Sequence, residues 1–113
     1  ALVDLNHFKS VNDKLGHDEG DRVLRVIGTQ LRGSLRAGDT AARVGGDEFA
    51  LLLSNGHAGV VAALLDRVRE AVSSIPAVEV GFSSGVALAP DESTDPGELY
   101  RIADVRLYED KRR

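Results

Sequence analysis

Two apolar stretches, Thr40 to Val44 and Phe49 to Leu53, are separated only by Gly45-Gly46-Asp47-Glu48. So short a connection has to turn the chain back on itself, which predicts an antiparallel hairpin with a tight turn at the glycines. The flanking segments then narrow the fold. Ala1 to Asp4 is a short apolar run ending in a carboxylate, the profile of a central strand. After a polar stretch from Asn6 to Gly20, the residues Val23, Leu24, Ile27, Leu31 and Leu35 recur at helical spacing. They predict an amphipathic helix from about Glu19 to Arg32, with Gly33 and Gly38 bracketing its exit.

Beyond the hairpin, Ser54-Asn55-Gly56 breaks the chain. Val61, Leu64, Leu65, Val68 and Val72 mark a second helix, ended by Ile75-Pro76. Val78 to Ala89 is predicted as a further strand, interrupted or bulged near Ser83-Ser84-Gly85. Asp95-Pro96-Gly97-Glu98 supplies a capping residue, a proline at the first helical position and a glutamate at the third. A third helix follows on Leu99, Ile102, Ala103 and Leu107. The order β-α-β-β-α-β-α contains the split βαβ, ferredoxin-like arrangement. It predicts an α+β fold, an antiparallel sheet with helices on one face, the first strand central beside the hairpin, and an added C-terminal helix.

The 113 residues make one domain, and 42% hydrophobic with 28% charged residues is a globular balance. Aromatics are only 4%, so the core has to be aliphatic. The absence of cysteine removes disulfides, thiolate metal sites and cysteine nucleophiles, and fits a reducing, cytoplasmic setting. A formal net charge of -4 argues against non-specific nucleic-acid or anionic-membrane binding. No apolar run approaches the ~20 residues of a spanning helix.

Carboxylates stand in two places where a purely structural account expects none. Asp4 closes the first strand, and Asp47-Glu48 follows the glycine turn. In this topology they converge at one end of the sheet, where their mutual repulsion calls for a cation. Hard oxygen ligands with open positions suit Mg²⁺ bridging to substrate phosphates, and the glycines admit a phosphate to the backbone. The plain alternative is that Asp4 caps the next turn and Asp47-Glu48 are solvated. Lys9 reads either as a phosphate-holding point charge or as a surface lysine. Asn12, His17 and Asp21 surround the start of the first long helix. An Asn amide with an Asp carboxylate can read a guanine edge, while Asp18 and Asp21 equally suit capping and the helix dipole. Arg36 and Asp39 alone form an ordinary exposed ion pair.

The string Arg43-Val44-Gly45-Gly46-Asp47-Glu48-Phe49, the stretch Asp4 to Asp13 (DLNHFKSVND), the stretch Gly16 to Asp21 (GHDEGD), and Ala103 to Tyr108 with Lys111 stand in order along essentially the whole chain. Together they resemble the GGDEF domain, the diguanylate cyclase catalytic domain, whose fold is related to the nucleotidyl-cyclase and polymerase palm. The resemblance implies condensation of two GTP into cyclic di-GMP with release of two pyrophosphates, by two domains facing each other as a homodimer. It places Mg²⁺ (or Mn²⁺) on Asp4, the carbonyl of Leu5, Asp47 and Glu48, with Asp47 as base for the 3′-hydroxyl and Lys9 against phosphate charge. It assigns guanine reading to Asn12 and Asp21, with His17 a further substrate contact. Phe8, Gly45, Gly46 and Lys111 complete the substrate site, Lys111 on phosphate.

Arg36 and Asp39 match the RxxD pattern of the family's inhibitory site for cyclic di-GMP, and Arg67 on the second helix is placed to add an arginine there. The resemblance also implies an N-terminal sensory domain in the parent. Asn6 departs from the pattern, standing where many members have a second Asp. The family's N-terminal helix with its LTGLPNR-like motif and an arginine four residues past Lys111 do not occur in residues 1–113, and Ile75 to Phe82 is short for the family's hairpin. A domain truncated at both ends is the expectation. The rival from another class is a catalytically silent GGDEF module sensing GTP or cyclic di-GMP; the presence of Asp4, Lys9, Asn12, Asp21, Asp47 and Glu48 together favours the enzyme.

Overall fold

The computed structural model describes residues 1–6, 8–54, 58–73 and 81–113. Strand β1 (Leu2–Asn6) is followed by helices α1 (Phe8–Leu15) and α2 (His17–Ser34), the hairpin β2 (Thr40–Arg43) and β3 (Glu48–Leu52), helix α3 (Ala58–Ser73), strand β4 (Gly81–Gly85) and helix α4 (Pro96–Lys111). The sheet order is β2-β3-β1-β4 with every pair antiparallel. This is the ferredoxin-like order expected from the sequence, with β1 inside the sheet. Because β1 has a neighbour on each side, all its backbone groups can join ladders, and its apolar residues can be buried on both faces.

Side chains alternate across a strand, so β1 divides its residues between two cores. Val3 and Leu5 join Phe49 and Leu51 against Phe8 and Val11 of α1, Val23, Ile27 and Leu31 of α2, and Val61, Leu64, Leu65 and Val68 of α3. Leu2 points the other way, into a smaller cluster with Ala103 and Leu107 of α4, flanked by Ala50 and Ala87. The sheet is therefore covered on both faces. Helices α2 and α3 lie on one face as expected, joined there by α1, and α4 covers the reverse.

Three elements differ from expectation. Helix α1 was not read from the polar stretch after Asn6. Its only apolar residues, Phe8, Val11 and Leu15, do fall at i, i+3 and i+7, and Phe8 and Val11 are buried. It packs on α2 with the Asn12 side chain over Gly20, where an added Cβ would stand 1.8 Å from the Asn12 Oδ1.

Second, the expected bulge near Ser83-Ser84-Gly85 is absent. Asn6↔Gly81 through Leu2↔Gly85 pair in unbroken register. The glycine serves close packing instead. A Cβ on Gly85 would stand 2.0 Å from the Ala103 carbonyl oxygen and 2.4 Å from the Leu107 nitrogen, so α4 rests directly on β4 backbone. Third, the strand ends at Gly85 rather than Ala89; its expected start at 78–80 and the Ile75-Pro76 helix end lie outside the described residues. The segment beyond Gly85 is held by side chains. Arg106 donates to the Val86 carbonyl at 2.7 Å and pairs with Glu92, whose carboxylate accepts from the Leu88 N–H at 2.9 Å.

The start of α4 follows its sequence. Asp95 accepts from the Glu98 N–H at 2.8 Å with Pro96 in the first turn, while the Glu98 carboxylate pairs with Arg101 instead of returning to the cap.

Candidate active site

Strand register assembles the acidic centre. Asp4 lies directly opposite Glu48 across the β1–β3 ladder, so both carboxylates leave the same face of the sheet, the face that carries α4. Asp47 precedes Glu48 at the end of the hairpin loop. Its carbonyl accepts the Leu5 N–H at 3.0 Å, which ties the loop to β1. The loop is closed by the Val44 N–H donating to the Glu48 carbonyl at 2.9 Å.

Of these carboxylates, Asp4 and Glu48 are drawn out of solvent. The Asp4 side chain is 14% exposed, and Asp4 Oδ1 and Glu48 Oε1 are buried without a hydrogen-bond partner. Burial pushes the Asp47 carboxyl above its usual value. The adjacent Asp4 carboxylate raises it further by repulsion and by hydrogen-bonding its protonated form, and Lys111 partly offsets this. Glu48 is raised for the same reasons, burial first, then the charges of Asp4, Asp104 and Asp47, again opposed by Lys111.

Two buried anionic oxygens without partners cost free energy that a cation recovers. Among the described residues no group of three or more His, Cys, Asp or Glu side chains is arranged as a metal cage. Mg²⁺ does not need one. It is usually held by one or two carboxylates, with water and substrate phosphates completing six oxygens. The donor chemistry of Asp4, Asp47 and Glu48 therefore fits a hard divalent cation.

The remaining expected residues fall into three places. Lys111, in the last turn of α4, donates to Asp4 Oδ2 at 2.6 Å and so belongs to the acidic centre. Asn12 lies on α1 with its amide over Gly20 of α2, while His17 at the start of α2 and Asp21, one residue past Gly20, are exposed. Lys9 is exposed in the first turn of α1, whereas the Phe8 and Leu5 side chains lie in the core, so their part at a ligand is limited to backbone. Gly45 and Gly46 are exposed. A Cβ on Gly46 would meet no protein atom, and internal packing gives no reason for glycine there.

Arg36, Asp39 and Arg67 line one small surface cavity with Ser34, Leu35, Leu53, Ser54, Val60 and Leu64. Asp39 is not simply the partner of the Arg36 side chain. Its carboxylate accepts the backbone N–H of Arg36 at 2.9 Å and of Ser54 at 2.8 Å, and those bonds hold it below the usual carboxylate range. It builds the loop, leaving the two exposed guanidiniums at the rim.

A family model described as "Diguanylate cyclase, GGDEF domain" matches residues 1–113. The chain belongs to the GGDEF-domain family. It is 41% identical to the uncharacterized protein YhcK of Bacillus subtilis over 96% of the chain and 32% of that protein. It is 38% identical to the probable diguanylate cyclase DgcT of Escherichia coli over 97% of the chain and 26% of that protein. The chain thus spans about a third or less of these curated relatives. A structure of the GGDEF domain of TpbB (YfiN) from Pseudomonas aeruginosa superposes with a TM-score of 0.87 at 36% identity, over 98% of the chain and 69% of that one. The GGDEF domain of DgcB from Caulobacter crescentus, solved in complex with c-di-GMP, gives 0.85 at 35%, over 98% and 70%.

Two residues that shape this GGDEF site went unread in the sequence. Arg43 folds its guanidinium over the turn, donating to the Gly45 carbonyl at 3.1 Å and, through Nη2, to the Gly46 carbonyl at 2.7 Å. Its position two residues before the glycines was the available signal. Asp110 accepts the Ser84 N–H at 2.9 Å and anchors the end of α4 to β4. Nothing in the sequence marks that contact, because it joins residues 26 apart. No described helix is long and apolar enough to cross a membrane.

Proposed function

We propose that this domain is a diguanylate cyclase, joining two GTP molecules into cyclic di-GMP and releasing two pyrophosphates. The observation that carries the reading is the convergence of Asp4, Asp47 and Glu48, with two buried carboxylate oxygens lacking partners. Asp4, Asp47, Glu48 and the Leu5 carbonyl would hold Mg²⁺ or Mn²⁺, which when bound neutralises triphosphate charge. Asp47 takes the proton of the ribose 3′-hydroxyl onto its carboxylate, and its raised proton affinity suits a general base. The freed 3′-oxygen bonds to the α-phosphorus of the GTP held by a facing second domain, and pyrophosphate departs.

Lys9 and Lys111 supply fixed positive charge for the phosphates. Glycine at 45 and 46 keeps the turn clear for them, with Arg43 drawing its carbonyls aside. Asn12 and Asp21, on α1 and α2, would read the guanine edge, with His17 at the start of α2 a further substrate contact. Positioning and charge neutralisation are the main requirements of phosphoryl transfer, and this set provides both.

The cavity between Arg36 and Arg67 is the proposed docking place of the product. Paired guanidiniums bind phosphate and stack on guanine, and Asp39 fixes the loop that presents Arg36. The test is incubation of the protein with GTP and Mg²⁺, with cyclic di-GMP and pyrophosphate resolved chromatographically against an Asp47→Ala control. Product formation lost in that variant is expected; product formation unaffected by it removes Asp47 from the chemistry. Mg²⁺-dependent GTP binding without any product identifies a silent nucleotide-sensing module.

A further inference from the structure

Lys111 reaches the acidic centre from the far end of the sequence. Its ammonium meets Asp4 Oδ2 at 2.6 Å across a separation of 107 residues. It is also the positive charge that opposes the repulsion on both Asp47 and Glu48. Its placement is fixed by the fold: α4 lies on β4 backbone at Gly85, and the neighbouring Asp110 carboxylate clasps the Ser84 N–H at 2.9 Å. The last turn of α4 thus presents a cation to the residue that a divalent ion would use.

The two demands on Asp4 conflict. A Mg²⁺ taken up on the unpartnered Asp4 Oδ1 would share its carboxylate with an ammonium held 2.6 Å from Oδ2, and the two carry like charge at short range. The Lys111 side chain is 38% exposed, on a flexible four-carbon stem, so it can leave without unpacking the helix. Phosphate oxygens arriving with a nucleotide offer it another partner.

We propose that Lys111 is a built-in competitor for the divalent cation, holding Asp4 until metal and nucleotide arrive together and so weakening capture of the metal alone. This rests on the reading of Asp4, Asp47 and Glu48 as a divalent-cation site. It assigns Lys111 a role before substrate binding as well as on the phosphates: cation uptake becomes coupled to triphosphate uptake through one lysine.

The experiment titrates MnCl₂ alone, with no nucleotide, into the protein at constant ionic strength. Free Mn²⁺ is read by its electron paramagnetic resonance signal, and thermal unfolding is followed in parallel. Lys111→Met is compared with wild type, with Lys111→Arg, which keeps the charge, and with Arg112→Met, which removes a neighbouring charge that stacks on Tyr108 rather than meeting Asp4. The expected result is about tenfold tighter Mn²⁺ binding in Lys111→Met, the order set by one unit charge near a divalent ion in largely aqueous surroundings. Lys111→Met also melts lower than wild type without Mn²⁺ and gains more from adding it. Lys111→Arg and Arg112→Met stay near wild type.

Equal Mn²⁺ affinity in wild type and Lys111→Met overturns the proposal and leaves the cation site standing, as does equal tightening in Arg112→Met. No Mn²⁺ binding in any variant, including the folded Lys111→Arg, overturns the cation reading and the proposal with it.

Discussion

Gly85→Ala tests whether contact of helix α4 with β4 backbone sets the geometry of the acidic centre. The new methyl would lie 2.0 Å from the Ala103 carbonyl oxygen and 2.4 Å from the Leu107 nitrogen. Both are helix backbone, which cannot swing aside as a side chain does. Relieving the contact requires α4 to lift by roughly 1.5 Å, toward the ~3.5 Å of ordinary carbon contact. Complete undocking would expose Leu2, Ala103 and Leu107, now 3%, 4% and 4% exposed. At ~1.5–3 kcal/mol for each leucine, that costs about 3–6 kcal/mol. Overpacking with a partial shift costs about 1–3 kcal/mol and is the cheaper response, so we expect a loss near 3 kcal/mol, with α4 raised but still attached.

Urea unfolding of wild type and variant gives the magnitude. Hydrogen exchange at the amides of residues 103–111 shows whether the loss is local to α4. Lifting the helix also draws Lys111 from Asp4 and Asp110 from Ser84, so exchange at Ser84 should rise together with that of the helix. A variant within 0.5 kcal/mol of wild type and unchanged in α4 exchange would refute the reasoning, because a real steric clash of this size has to show in one or the other.

Asp47→Asn should lower cyclic di-GMP formation by several orders of magnitude, while the protein melts no lower than wild type above the ordinary carboxylate range. The raised Asp47 carboxyl means that its charged form opposes folding there, so a parallel loss of stability and activity would contradict this account. Asp39→Ala should act with the opposite sign. Its carboxyl is held below the ordinary carboxylate range, so its stabilisation is full above that range and fades as pH falls through the depressed value. Thermal melts across pH should show the variant's deficit at neutrality and its convergence with wild type in acid; a pH-independent deficit would count against the two backbone hydrogen bonds as its source. Arg36→Ala and Arg67→Ala should each weaken cyclic di-GMP uptake in calorimetry by roughly tenfold or more while leaving the fold intact, on the scale of one lost charge-assisted hydrogen bond. Unchanged uptake in both would remove the cavity from product binding.

The elements legible in the sequence are those whose own side chains declare a period. The apolar stripe of α2, the hairpin around Gly45-Gly46 and the Asp95 cap of α4 each rest on local spacing, and each forms where that spacing placed it. So does the central position of β1, since an unbroken apolar run needs cover on both faces. Local pattern failed where a partner far along the chain supplies the reason. Helix α1 carries too few apolar residues to stand out, and is held by α2 lying close at Gly20. Gly85 reads as a bulge signal until α4 is seen resting on it.

The family motifs likewise nominated candidate residues without their geometry. Sequence placed Asp47-Glu48 after a turn, because residue types and spacing are properties of the chain alone; it placed Asp4 at a strand end, whereas pairing with β4 carries β1 on to Asn6 and leaves Asp4 inside the strand. That Asp4 faces Glu48, that two of their oxygens are buried without partners, and that Lys111 closes on Asp4 are decided only by register and helix docking. Burial and electrostatic coupling arise from distance in space, and residues 107 apart acquire such a distance only when the sheet and α4 pack together.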